Sequence, residues 1–128
     1  MRKIIKRSGI VFLLLCGVVF AEEGIDFESL MEAVENNAHN LQTLIVNKDA
    51  PASIALAKDL QTEFTQVGGF FAKRGNANDA VVDAQKYIDL ATEVIKYVEA
   101  NDFDNASLKA SELTKNCEDA CHDTYKPL

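Results

Sequence analysis

A chain of 128 residues with a formal net charge of −7 has room for one domain around one core. Its acidity excludes a nucleic-acid coat, because phosphates would repel it. No Ser–His–Asp set, phosphate-cradling glycine loop or pair of carboxylates at a defined site stands out, so no enzymatic turnover is expected.

The first stretch reads as a leader rather than as fold. Residues 1–7 carry Arg2, Lys3, Lys6 and Arg7, an apolar run follows over 9–20, and Val19-Phe20-Ala21 closes it with small side chains at its first and third positions. That order predicts a secretory signal cut after Ala21, which sends the protein to the periplasm. The apolar run is short for a membrane span. An uncleaved anchor is the alternative; a lipoprotein built on Cys16 would put Leu15 where a small residue is usual. Cleavage leaves residues 22–128 as the folded unit. The leader holds four of the 13 basic residues and none of the 20 acidic ones, so the mature chain carries a net charge of −11. Such a surface suits docking on a basic redox partner, although solubility alone explains most of it.

Four amphipathic segments follow, with no strand-like alternation of useful length. The first covers roughly 26–47, with Asp26 as N-cap and Phe27, Leu30, Met31, Val34, Ala38, Leu41, Leu44 and Ile45 on one face. A turn over 48–51 leads into a second helix, with Pro51 at its start and Ile54, Ala57, Leu60, Phe64 and Val67 along its stripe. Gly68 and Gly69 are expected to end it. A loop is expected over 70–78, with Phe70 and Phe71 tucked back on the bundle end. The third helix covers about 79–100 through Val81, Ala84, Ile88, Ala91, Ile95 and Val98, and Asn101 and Asp102 break it. The fourth covers about 104–125, before Pro127, with Ala106, Ala110, Leu113, Cys117, Ala120, Cys121 and Thr124 in its stripe. Short links between four such helices predict an all-α, antiparallel up-and-down four-helix bundle.

Cysteine usage then carries the chemistry. Three cysteines are an awkward number for a secreted protein, but the leader removes Cys16 and leaves one pair, Cys117 and Cys121, with His122 directly after. The usual haem-attachment pattern has two residues between its cysteines, and here there are three, Glu118, Asp119 and Ala120. Residues four apart on a helix face nearly the same way, about 6 Å apart, so both thiols can reach one porphyrin edge. His122 lies about 100° further round and can offer a neutral imidazole nitrogen to iron. A disulfide between the two cysteines is a second reading, although helical spacing suits its strict torsions poorly. Zinc is a third, and His39 is the only other histidine that could complete it.

The ending Cys121-His122-Asp123-Thr124-Tyr125-Lys126 resembles that of the class II c-type cytochromes, the cytochrome c-prime family. Those proteins are secreted four-helix bundles with haem attached near the C-terminus. An aromatic residue commonly stands three places after the histidine and a basic one four places after it, as Tyr125 and Lys126 do here. The helix over 30–46 also resembles the family's first helix in length and in its Met. The likeness is one of architecture along the mature chain, and its specific part spans about ten residues. It implies one covalent haem c on Cys117 and Cys121, with His122 as the proximal iron ligand. It further implies Tyr125 packed on the proximal side and Lys126 near a propionate or over the ring; as a plain cation, Lys126 would also suit a helix C-terminus.

The family divides by its sixth iron position. In one branch a Met from the first helix ligates iron and the protein carries electrons. In the other the position is apolar, and five-coordinate iron binds nitric oxide or carbon monoxide. Met31 is the only Met after the leader. Counting about 1.5 Å per residue from the fourth helix's start to Cys121, and the same distance back from Asn47, lands near Leu30, so Met31 is expected at haem height. Phe27, Leu30 and Val34 are the other distal neighbours, and Met31 can equally be core filling. His39 is expected about 12 Å further along, as a polar residue rather than a ligand. Members of the family often dimerise through their first two helices, which makes a homodimer a further expectation.

Overall fold

The structure, a computed structural model, describes Gly24 and residues 26–124, with side chains described up to Asn116. The predicted leader, 1–21, lies outside the described residues. Four helices form in chain order: α1, Phe27–Val46; α2, Ala50–Arg74; α3, Asn78–Glu99; and α4, Phe103–Thr124.

Three of the four helix starts are set by an aspartate. Asp26 accepts from the Ser29 backbone N–H at 3.4 Å and from its hydroxyl at 2.7 Å. Asp49 accepts from the Ala52 N–H at 3.2 Å, with Pro51 in the first turn. Asp102 accepts from the Asn105 N–H at 3.1 Å and from its side-chain amide at 2.7 Å. Each satisfies donors that a helix start leaves without partners. The same bonds hold the carboxyls of Asp26 and Asp102 below their ordinary range. Left-handed residues sit in the links: Lys48, Asn76 and Asn101 near +56°, and Gly75 at +75°.

The helix ends match the sequence pattern with one exception. α2 does not stop at Gly68 and Gly69; it continues to Arg74 and shrinks the expected 70–78 loop to the residues around Gly75. Each glycine costs a helix about 1 kcal/mol relative to alanine. Against that, Phe71 is 2 % exposed, and burying such a ring contributes roughly 1.5–3 kcal/mol. Phe70 also stacks on Phe27 at a centroid separation of 4.2 Å, and Phe71 meets Phe27 edge-on at 5.4 Å. Pairs of this kind add about 0.5–1.5 kcal/mol. Burial outweighs propensity, and the tucked-back phenylalanines do their packing from a helix rather than from a loop. Gly68 serves this arrangement directly: a Cβ there would meet the Ala84 Cβ at 3.3 Å, so its absence lets α2 and α3 close up. Gly69 faces open space.

Cross-helix pairs fix the topology. Asn37 meets Glu63 while Phe27 meets Phe70, so α1 and α2 run in opposite directions. Gln61 with Thr92 and Phe64 with Tyr87 show the same for α2 and α3. Lys109 with Glu93 and Tyr87 with Asn116 do so for α3 and α4. The result is an antiparallel four-helix bundle in which α2 and α3 pack most extensively and α1 and α4 least. Val34, Leu41, Leu60, Phe64, Ala91, Val94 and Leu113 form its fully buried axis.

A polar belt crosses all four seams at mid-height. The Asn37 amide donates to Glu63 at 2.6 Å, the Gln61 amide to Thr92 at 2.7 Å and the Gln42 amide to Thr114 at 2.6 Å. Lys109 pairs with Glu93 at 3.1 Å. Both threonines pass their own proton back to their helix, Thr92 to the Ile88 carbonyl and Thr114 to the Ala110 carbonyl, which leaves a lone pair aimed at the glutamine. Each such bond is worth only about 1 kcal/mol, but a slipped register would leave its partners unpaired. Among the described residues, no helix is long and apolar enough to cross a membrane.

Candidate functional site

α4 remains helical past the two cysteines, to Thr124. Ala106, Ala110 and Leu113 are buried, and the steps of three and four that join them lead on to positions 117, 120, 121 and 124. The side chains of Cys117, Cys121 and His122 lie outside the described residues, as do Tyr125 and Lys126 altogether.

The helix that carries the pair is held just ahead of it. Gln42 of α1 bonds Thr114, and the Tyr87 hydroxyl of α3 donates to the Asn116 carbonyl at 2.9 Å. Around this end of the bundle stand the aromatic residues Phe27, Phe64, Phe70, Phe71 and Tyr87. Phe64 and Tyr87 lie 5.0 Å apart, and the small residues Ala80, Ala84 and Gly68 sit between α2 and α3.

The Gln42–Thr114 bond gives a second count of the height of Met31. Seven residues on from Thr114 is Cys121, and seven back from Gln42 is Glu35, so the level of Cys121 falls near Glu35. Met31 lies one turn beyond, about 6 Å along the axis. The sequence count takes Asp104 and Asn47 as level; Thr114, ten residues after Asp104, meets Gln42, five residues before Asn47. The buried residues nearest the level of Cys121 on α1 are Val34 and Ala38.

Rotation separates Met31 from His39. At about 100° per residue, Met31 falls within roughly 20° of Gln42, on the edge of α1 that meets α4. It is half-buried and packs against the core. His39 falls roughly 60° from Gln42 on the side away from the core, and it is exposed. It stands as the surface polar residue the sequence indicates. Among the described residues, no group of His, Cys, Asp and Glu is arranged to hold a metal ion.

Glu63 is a feature the sequence pattern missed. It reads there as one more solvated acid, yet its Oε2 is buried without a hydrogen-bond partner. Burial pushes its carboxyl above the ordinary glutamate value; the Asn37 amide opposes the push and Asp59 adds to it. The alternation of Asn37 and Leu41 on α1 with Glu63 and Phe64 on α2 was the only signal, and it needs the helix pairing to be read.

Comparison with known protein families, curated proteins and solved structures finds no match.

Proposed function

We propose that the chain is a secreted, periplasmic mono-haem cytochrome of c type that carries electrons. Its two cysteines would hold haem c covalently, and its His122 would serve as the iron's axial ligand. The observation that carries the proposal is the unbroken α4: a helix through Thr124 brings positions 117 and 121 to one face, in line with buried Ala106, Ala110 and Leu113.

The donor set suits the group. Each cysteine S–H can add across one porphyrin vinyl, forming a C–S bond while its hydrogen goes to the neighbouring carbon, with no oxidant consumed. The same helical spacing suits a disulfide less well. Among the described residues, the seam between α1 and α4 is packed least of the four, which favours a planar group on that side. When bound, the group supplies a one-electron ferrous–ferric couple. The aromatic end of the core would exclude water around it, which would lower the local dielectric and tune the couple. A surface of net charge −11 after loss of the leader would steer a basic partner towards it. Tyr125 and Lys126 would take the places the family resemblance implies, beside the ring and near a propionate.

Met31 is the proposed sixth ligand, on the strength of its half-buried place on the edge of α1 facing α4. A second reading has its own observation: Val34 and Ala38 lie nearer the level of Cys121, and neither can ligate. An apolar distal side would give five-coordinate iron and a gas-binding protein. Absorption spectra, oxidised and reduced, with and without carbon monoxide, decide between them. Met ligation predicts low-spin iron with a sulfur-to-iron band, lost in Met31→Ala. High-spin iron that takes up carbon monoxide, indifferent to Met31→Ala, selects the gas-binding reading. A colourless mature protein removes both.

A further inference from the structure

We propose that Tyr87 is a positioning residue for the proposed haem-attachment turn: its buried hydroxyl fixes the height and rotation of α4 one residue ahead of Cys117. This rests on the haem reading given above.

Tyr87 is the largest fully buried side chain among the described residues. Its ring packs against Phe64 with centroids 5.0 Å apart, a contact that phenylalanine would make equally well. The hydroxyl therefore adds nothing to packing, and a buried phenol needs a polar partner. It finds one in the Asn116 carbonyl, at 2.9 Å. In a helix that carbonyl already accepts from the N–H four residues on, which is Ala120, between the two cysteines. Its second lone pair goes to Tyr87. The peptide that opens the attachment turn is thus tied to α3.

The tie acts as half of a clamp. Gln42 bonds Thr114 from α1, two residues earlier. Tyr87 ties the Asn116 carbonyl from α3, so α4 is held to both of its neighbouring helices within three residues, at 114 and 116. Held so, the next turn cannot roll about its axis. Roll is the motion that would tilt a histidine off the iron it ligates, since that ligand follows directly on the second cysteine. Loosening the grip should leave attachment intact and spread the iron over more than one ligand geometry.

The test uses the matured holoprotein and Tyr87→Phe. Expected are an unchanged intact mass with haem attached, unchanged helical circular dichroism, and two sets of iron signals by electron paramagnetic resonance where the parent shows one. Phe64→Leu is the control: it weakens the same part of the core, lowering Tm, and should keep a single set of signals. A Tyr87→Phe protein with the parent's single set overturns the proposal while the haem reading stands. Two sets in both variants also overturns it, because general loosening then suffices. A parent without covalent haem defeats the haem reading, and this proposal with it. Should Tyr87→Phe fail to fold, proton resonance of the parent decides: a slowly exchanging Tyr87 hydroxyl is expected, and a freely exchanging one overturns the proposal.

Discussion

The two halves of the bundle on either side of the polar belt are built differently. The half that holds the α1–α2 and α3–α4 turns buries Ile45, Ala57, Val94, Val98, Ala106 and Ala110, while its rings, Tyr97 and Phe103, are only partly covered. The half that holds the cysteine helix buries Phe64, Phe71 and Tyr87 and stacks Phe27 on Phe70. Connectivity explains the difference. Two tight turns staple the first half, so small and branched side chains close it. The second has one link, around Gly75, and two helix ends that nothing covalent joins, the start of α1 and the end of α4. Large rings hold the start of α1 in place, and that half also carries the segment from Cys117 to His122.

Truncating one side chain in each half tests this contrast with the largest effect. Phe71→Ala is expected to cost about 3–5 kcal/mol and Val98→Ala about 2 kcal/mol, read from denaturant unfolding. Equal losses would mean that the aromatic end has no special load. A finer test uses the adjacent glycines. Gly69→Ala meets nothing within 4 Å and should stabilise α2 by about 1 kcal/mol. Gly68→Ala gains the same propensity but must push the Ala84 methyl, 3.3 Å away, and should gain little or nothing. Equal gains would show that α2 and α3 are not in close approach there.

The smallest expected effect belongs to Glu63, on the belt between the halves. Its folded-state carboxyl binds a proton more tightly than the unfolded chain's does, because burial disfavours the charge. The folded form therefore holds more protons as pH rises from the ordinary glutamate range through the raised value, and stability falls across that window. Glu63→Gln should remove this decline, so its advantage over the parent grows with pH in a series of Tm measurements. A variant that loses ground as pH rises would contradict the assignment. Asp26 and Asp102 act in the opposite sense: their lowered carboxyls contribute stability above the ordinary aspartate range, lost as pH falls through the lowered values.

Much of the fold was legible in the residues. Apolar spacing of three and four located all four helices, and Asp26, the turn before Pro51, and the Asn101-Asp102 break lie at helix boundaries. Gly68 and Gly69 misled because their local cost is overruled by what Phe71 gains against Phe27 of α1 and by the close approach of Gly68 to Ala84 of α3, long-range contacts that no local pattern carries. The height of Met31 depends on a related quantity. Counting residues fixes distance along one helix, but the offset between two helices is set by tilt and by side-chain bridges such as Gln42 to Thr114. The motif itself was plain from Cys117, Cys121 and His122, since three reactive side chains so close in sequence stay close in any helix. What positions them, Tyr87 above all, was hidden, because a tyrosine on an apolar stripe looks like any other core ring.

Intact mass of the mature protein, produced in a host that attaches haem to exported cytochromes, tests the central claim most directly. The expected mass is that of residues 22–128 plus one haem, retained after acid and denaturing solvent. A mass equal to the bare polypeptide, with thiols free or two hydrogens short from a disulfide, would contradict the claim.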